Sequence, residues 1–292
     1  MKDIKGIITP AITPFKNNDL DVDGLRNLID HLHKIKVSGI FPMGSTGAMP
    51  LFNKEMHKKV LKEFSNFIKE NDIFIPGTGK NNIEETIEIS KFVEDLGADA
   101  IVIVTPYYMK LNQDSIYIYY KSVLEKIELP VLIYNIPQLT GNIIKAETVN
   151  SLANEYSHVL GIKDSSGDLS LFQDFLFKIE KKFKVFQGQD EFLLSSLILG
   201  ASGGVCGTTN FSDLAIKVMK YFSEKNIEKA FEYQKKLSVV KNYLNSKTFP
   251  QAYSYLFYKL LMGKDYTGTV PPLNDLSKKE KDEINKNLIP LL

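Results

Sequence analysis

The run Val159-Leu160-Gly161-Ile162 is apolar and β-branched, and it ends on the ammonium of Lys163. Asp164-Ser165-Ser166-Gly167-Asp168 then reads as a turn and helix cap. A lysine picked at random from the 36 Lys and Arg residues is a solvated surface charge; one that closes a buried strand is not. Desolvation lowers the pKa of an amine, and a neutral amine can attack a carbonyl carbon to form a Schiff base. Lys163 is therefore the first candidate for covalent chemistry.

Other apolar runs end on polar or glycine-rich turns. Gly44-Ser45-Thr46-Gly47, Thr105-Pro106-Tyr107-Tyr108, Tyr134-Asn135-Ile136-Pro137, Gly188-Gln189-Asp190 and Gly207-Thr208-Thr209-Asn210 each follow one. Free backbone N–H groups and two hydroxyls at Ser45 and Thr46 suit a carboxylate. Tyr134 suits a proton shuttle beside Lys163. Plainer readings stand beside these: a tight capped turn at Gly44–Gly47, a rim-facing core aromatic at Tyr134, interface packing at Tyr107-Tyr108, and a cap on the next helix at Asp190.

Several motifs fall away. Pro76-Gly77-Thr78-Gly79-Lys80 resembles part of a phosphate loop, but Asn81 follows the lysine and Phe74 occupies the upstream glycine position. His31, His33, His57 and His158 lack metal-ligand spacing, so no metal is expected, and no base is placed for a Ser-His-Asp triad. Tyr117, Tyr119 and Tyr120 fall on a helix and read as packing.

The elements that must position these residues follow from the hydrophobic pattern. Strands are expected at Gly6–Pro10, Gly39–Met43, Ile73–Pro76, Ala100–Val104, Val131–Tyr134, Val159–Lys163, Lys184–Phe186 and Gly204–Cys206, with amphipathic stretches between them. Val22–Ile35 sets Val22, Leu25, Leu28, Ile29 and Leu32 on one face, and Ile83–Leu96 stops at Gly97, a C-cap. Eight strand–helix units predict an α/β fold, a (β/α)₈ TIM barrel over residues 1–225. Residues 226–292 read as a C-terminal helical extension, with helices at Glu228–Leu244, Ala252–Met262 and Ser277–Leu288. Active sites of such barrels lie at the C-terminal strand ends, where all the turns above converge.

Composition narrows the function classes. The chain of 292 residues is 43% hydrophobic and 24% charged, ordinary for a globular protein. A net charge of +1 implies no nucleic-acid partner. The single cysteine, Cys206, forms no intrachain disulfide and fits a reducing cytoplasm. Met1 to Lys5 is charged, so no signal peptide is expected, and no apolar run is long enough to cross a membrane.

Gly44–Gly47, Thr105–Tyr108, Tyr134–Gly141 (YNIPQLTG), Gly161–Asp168 (GIKDSSGD) and Gly188–Glu191 (GQDE) have the order and spacing of the dihydrodipicolinate synthase / N-acetylneuraminate lyase superfamily, which the chain resembles over nearly its whole length. The resemblance implies a metal-free homotetramer, a dimer of dimers, that acts on 2-oxo acids with no cofactor beyond a covalent Schiff base on Lys163. It makes Tyr134 the general acid/base. It makes Ser45 and Thr46 the grip on the pyruvyl carboxylate, and has Thr46 link Tyr134 to Tyr108, a tyrosine that usually reaches in from the neighbouring subunit. Ser165, Gly188, Asp190 and Gly207 would line the sugar-chain side, with Pro10 and Phe41 walling the pyruvate end.

Departures from the family pattern select a branch. The synthases carry an arginine two residues after the proline of YNxP to bind a second carboxylate; here that position is Leu139. Leu139 and the GQDE motif resemble the neuraminate lyases, whereas Lys163-Asp164-Ser165 and Ala48 resemble the 2-keto-3-deoxygluconate aldolases. Relatives of that branch that take a phosphorylated substrate use arginines, at positions approximating Leu111 and Ser246 here. The only arginine is Arg26, and Lys110 is the one nearby cation. The expected activity is cleavage of 2-keto-3-deoxygluconate to pyruvate and glyceraldehyde, with the non-phosphorylated substrate preferred, as in non-phosphorylative Entner–Doudoroff sugar catabolism. The alternatives are N-acetylneuraminate lyase or another pyruvate-dependent aldolase, then dihydrodipicolinate synthase or a silent barrel that binds a 2-oxo acid.

Overall fold

The computed structural model describes residues 2–179 and 183–292. Met1, part of the charged N-terminal segment, lies outside the described residues. Eight parallel strands make the central sheet: β1 (Gly6–Pro10), β2 (Gly39–Phe41), β3 (Ile73–Phe74), β4 (Ile101–Val104), β5 (Val131–Asn135), β6 (Val159–Asp164), β7 (Lys184–Gln187) and β8 (Gly203–Val205). Their order, β3-β2-β1-β8-β7-β6-β5-β4, is sequential and returns on itself. The β3/β4 seam is closed just beyond β3: Val102 N–H donates to the Pro76 carbonyl at 2.9 Å, and Thr78 N–H to the Val102 carbonyl at 3.0 Å. The expected TIM barrel is the observed fold, and each strand coincides with an apolar run, some ends shifted by one or two residues.

A helix follows each strand: α1 (Val22–Ile35), α2 (Lys54–Ser65), α3 (Ile83–Asp95), α4 (Gln113–Leu124), α5 (Ala146–Glu155), α6 (Leu169–Phe177), α7 (Leu193–Ile198) and α8 (Leu214–Ser223). Asp21, Asn53, Asn82, Asn112 and Asp168 accept backbone N–H bonds at the starts of α1, α2, α3, α4 and α6, satisfying donors that a helix leaves open. Gly97 takes φ +80° after α3, as a C-cap requires. Among the described residues, no helix is long and apolar enough to cross a membrane. A short hairpin, Phe15–Lys16 with Asp19–Leu20, was not legible: each arm is two residues, and Asn17 and Asn18 take the positive φ of the turn.

Three helices come after the barrel units: α9 (Ile227–Asn245), α10 (Gln251–Met262) and α11 (Lys278–Asn287). α9 packs along α8, and α10 packs on α1, where the Tyr258 hydroxyl donates to Asp21 at 2.8 Å. Ser277 and Glu280 form a capping box that starts α11.

The pairing of β5 with β6 sets the functional geometry. They run parallel with Tyr134 opposite Lys163 and Asn135 opposite Asp164. Successive strand residues face opposite ways, so Tyr134 and Lys163 share one face and Asn135 and Asp164 the other. The outer pair is tied by Asn135 Nδ2 donating to Asp164 Oδ1 at 2.7 Å. On the other side of β6, Gly161 has no room for a side chain: a Cβ would lie 2.1 Å from the Lys184 carbonyl oxygen of β7. Gly161→Ala must therefore part β6 from β7, and we expect a stability loss of at least ~2 kcal/mol. Urea denaturation checks this; a loss below ~0.5 kcal/mol, the range of a neutral surface change, would contradict it.

Candidate active site

A cavity of about 260 Å³ opens at the C-terminal ends of the strands. Pro10, Ser45, Thr46, Tyr134, Lys163, Ser165, Gly188, Asp190 and Gly207 all line it, so nearly every expected site residue is brought to one place. Phe41 stands behind this lining, its ring 4.9 Å from Lys163 Nζ and edge-on to Tyr134 at 6.2 Å. Tyr108 is not brought in: it is 93% exposed with φ +75° on the same chain.

Lys163 is buried, with Nζ 3.8 Å from the centre of the Tyr134 ring. Among the described residues it forms no ion pair. A primary amine is thus held between two aromatic rings at the wall of a cavity, without a carboxylate to keep it. The Tyr134 hydroxyl lies 3.1 Å from Ser45 Oγ. This corrects the expectation that Thr46 serves Tyr134. Consecutive side chains in the turn after β2 diverge, and Ser45 is the one turned toward β5.

The opposite wall is built from buried polar groups. Asp190 accepts from Gly207 N–H at 3.1 Å, Thr208 N–H at 3.0 Å and Thr208 Oγ1 at 2.6 Å. Burial pushes its carboxyl above the usual range, against the pull of Lys241. Asp190 is a cap, but for the helical turn Gly207–Asn210 after β8 rather than for α7, so it ties two strand ends together. Ser165 Oγ is buried and has no hydrogen-bond partner among the described residues. Gly188 makes its place, since a Cβ there would sit 1.9 Å from that oxygen. Asp164, directly after Lys163, is also raised by burial and accepts from Asn135 and from Ser166 Oγ at 2.8 Å.

Reading the strand ends missed one wall. α9 and the segment after it bring Lys241, Asn245, Lys247 and Phe249 onto the cavity. The spacing of Lys241 and Asn245 places them on one helix face, but nothing local says that this face returns to the barrel mouth. The expectation that Lys110 is the one nearby cation is corrected: Lys110 is exposed and off the cavity, whereas Lys241 and Lys247 line it. A second, mainly apolar cavity of about 250 Å³ lies across Tyr134 and Ser45, lined by Met43, Met49, Val104, Tyr107 and Leu139.

The discarded motifs have structural occupations. Lys80 turns inward and donates to the Phe52 carbonyl at 3.0 Å. His57 is buried, its Nε2 2.9 Å from the Gly77 carbonyl, and burial holds its pKa down to about 3. Among the described residues no three His, Cys, Asp or Glu side chains are grouped to hold a metal ion.

Comparison with known proteins agrees with this geometry. A Picrophilus torridus protein named 2-dehydro-3-deoxy-D-gluconate/2-dehydro-3-deoxy-phosphogluconate aldolase is 44% identical over 253 residues, covering 85% of this chain and 92% of that one. The solved 2-keto 3-deoxygluconate aldolase from Picrophilus torridus superposes with TM-score 0.87 at 42% identity, over 94% of this chain and 98% of that one. A prophage protein from E. coli K12, described as a member of the dihydrodipicolinic acid synthase family in complex with pyruvate, superposes with TM-score 0.92 at 28% identity over 98% of both chains. Residues 3–290 match the Dihydrodipicolinate synthetase family, and the chain belongs to that family.

Proposed function

We propose that the protein is a class I aldolase that cleaves 2-keto-3-deoxygluconate to pyruvate and glyceraldehyde and runs the reverse addition. The observation that carries this reading is the buried Lys163 amine, without an ion pair among the described residues, against the Tyr134 ring in a cavity that Ser45 and Thr46 also line. Lys163 Nζ attacks C2, water leaves, and the resulting iminium draws electrons from C3–C4. Tyr134 takes the C4 hydroxyl proton as that bond breaks, and glyceraldehyde departs. Protonation of the enamine at C3 and hydrolysis of the imine release pyruvate and restore the amine.

The remaining residues take supporting roles. Thr46 and the turn N–H groups hold the pyruvyl carboxylate, while the Ser45 hydroxyl serves Tyr134. Pro10 and Phe41 wall the pyruvate end. Ser165, Gly188, Asp190 and Gly207 face the polyol, and the unpartnered Ser165 hydroxyl suits a substrate hydroxyl. Tyr108 is read as acting on a second copy of the chain: it projects fully from its own surface, and the apolar cavity beside Tyr134 and Ser45 is open to such a ring. That contact fits the homotetramer, and the reading as a whole fits a cytoplasmic enzyme of sugar-acid catabolism.

The substrate tail is read as uncharged. A phosphate dianion in a desolvated cavity calls for free guanidinium or ammonium partners, and the two lysines on the wall, Lys241 and Lys247, each already face a glutamate. Arg26 lies on α1 over the Phe67 ring, and the positions that approximate the arginines of phosphate-accepting relatives are Leu111 and Ser246. Leu139 lines the cavity where a synthase would need its arginine.

Pyruvate release from 2-keto-3-deoxygluconate, its 6-phosphate and N-acetylneuraminate, with condensation of pyruvate and aspartate semialdehyde beside it, tests the assignment. The non-phosphorylated sugar acid is expected to lead its phosphate by about 10-fold or more in kcat/KM, since one lost charged contact is worth about 1.5–3 kcal/mol. Equal efficiency on the phosphate, or N-acetylneuraminate as the best substrate, overturns it. Tyr134→Phe is expected to lower kcat by roughly 10²–10⁴ while Lys163 still condenses with pyruvate. Turnover near wild type would make Tyr134 a packing residue.

A further inference from the structure

Lys241 raises a question that the sugar-acid reading leaves open. Lys241 lines the cavity and is only 8% exposed, so a cation of the kind a terminal phosphate would need is present. It is also already engaged. Glu191 Oε2 lies 3.6 Å from Lys241 Nζ, Gln189 Oε1 accepts from it at 3.3 Å, and Asn245 Oδ1 accepts from it as well. Asn245 closes the triangle by donating from Nδ2 to Glu191 Oε1 at 3.3 Å. Gln234 Nε2 donates to the Asp190 and Glu191 carbonyls, each at 3.1 Å, which fixes the backbone beneath. Glu191 itself does not line the cavity, and its Oε2 has no hydrogen-bond donor among the described residues. Its one close cation among the described residues is Lys241. Lys247, the other lysine on this wall, is paired with Glu283.

We infer that Glu191 is a specificity-determining positioning residue: by holding the charge of Lys241, it keeps this cavity from accepting a substrate with a terminal phosphate. The inference rests on the aldolase reading for its substrate, but not for its test. A buried ammonium cannot serve a second anion at full strength while it faces the first. A dianion placed here would crowd Glu191 and Asp190 in a space poor in water, where uncompensated charge is costly. A polyol tail carries no such charge and meets no such repulsion. Glu191→Gln keeps the shape and the Asn245 contact while releasing Lys241.

The test is titration calorimetry with glycerol 3-phosphate on the full-length protein. Glu191→Gln is expected to bind the probe about tenfold or more tightly than wild type, the worth of a charged hydrogen bond. The double variant Glu191→Gln/Lys241→Met is expected to lose the gain. Glu191→Ala, read the same way, serves if the glutamine variant fails to fold. No gain in either single variant, or a gain that survives loss of Lys241, overturns the inference; a merely structural role for Glu191 would weaken binding rather than strengthen it. The aldolase reading fails separately, if wild type releases pyruvate from none of the sugar acids.

Discussion

The site depends on one register. β5 and β6 pair so that Tyr134 and Lys163 fall opposite each other on the inner face of the barrel. A slip of one residue would turn Lys163 outward and bring Asp164 in, because strand side chains alternate. The register is held from both sides. Asn135 and Asp164 are hydrogen-bonded on the outer face, and on the β7 side Gly161 lets the Lys184 carbonyl approach to a distance that no side chain would allow. Placement of a buried amine against a phenol ring is therefore a property of the backbone, and the side chains inherit it.

The same economy recurs around the cavity. Asp190, at the end of β7, spends its carboxylate on the amides and hydroxyl of the turn after β8, joining neighbouring strand ends. Ser45 joins β2 to β5 through the Tyr134 hydroxyl. These links keep the groups that would meet a substrate within ångströms of one another without a metal cluster among the described residues. Among the described residues one buried hydroxyl, Ser165 Oγ, on the side assigned to the sugar tail, and one buried carboxylate oxygen, Glu191 Oε2, behind that wall, have no hydrogen-bond partner. Buried polar atoms are rarely left so, and a polyol in the cavity is a ligand that would satisfy the Ser165 hydroxyl.

Much of this was legible in the sequence. The eight apolar runs are strands because Val and Ile pack well in a sheet buried on both faces, and the turn residues after them mark the barrel mouth. Lys163 stood out because an ammonium rarely closes such a run. What escaped reading was long-range. The wall from α9 is distant in sequence from the strand ends, and no local pattern in Lys241 or Asn245 announces it. The choice between Ser45 and Thr46 depends on which way a turn side chain points, which a motif does not encode. The plainer reading of Asp190, a cap on the next helix, names the wrong donors because capping looks alike in sequence whether they come from the next turn or from the next strand. The hairpin at Phe15–Leu20 is too short to alternate visibly.

The central claim is that Lys163 is the nucleophile, and it can be tested without a substrate tail. The protein is incubated with pyruvate, reduced with borohydride, digested, and the adduct mapped by mass spectrometry. The geometry predicts a single reduced pyruvyl adduct on the peptide bearing Lys163, absent when pyruvate is omitted. An adduct on Lys241 or any other lysine, or no adduct from protein that cleaves a sugar acid, would contradict it.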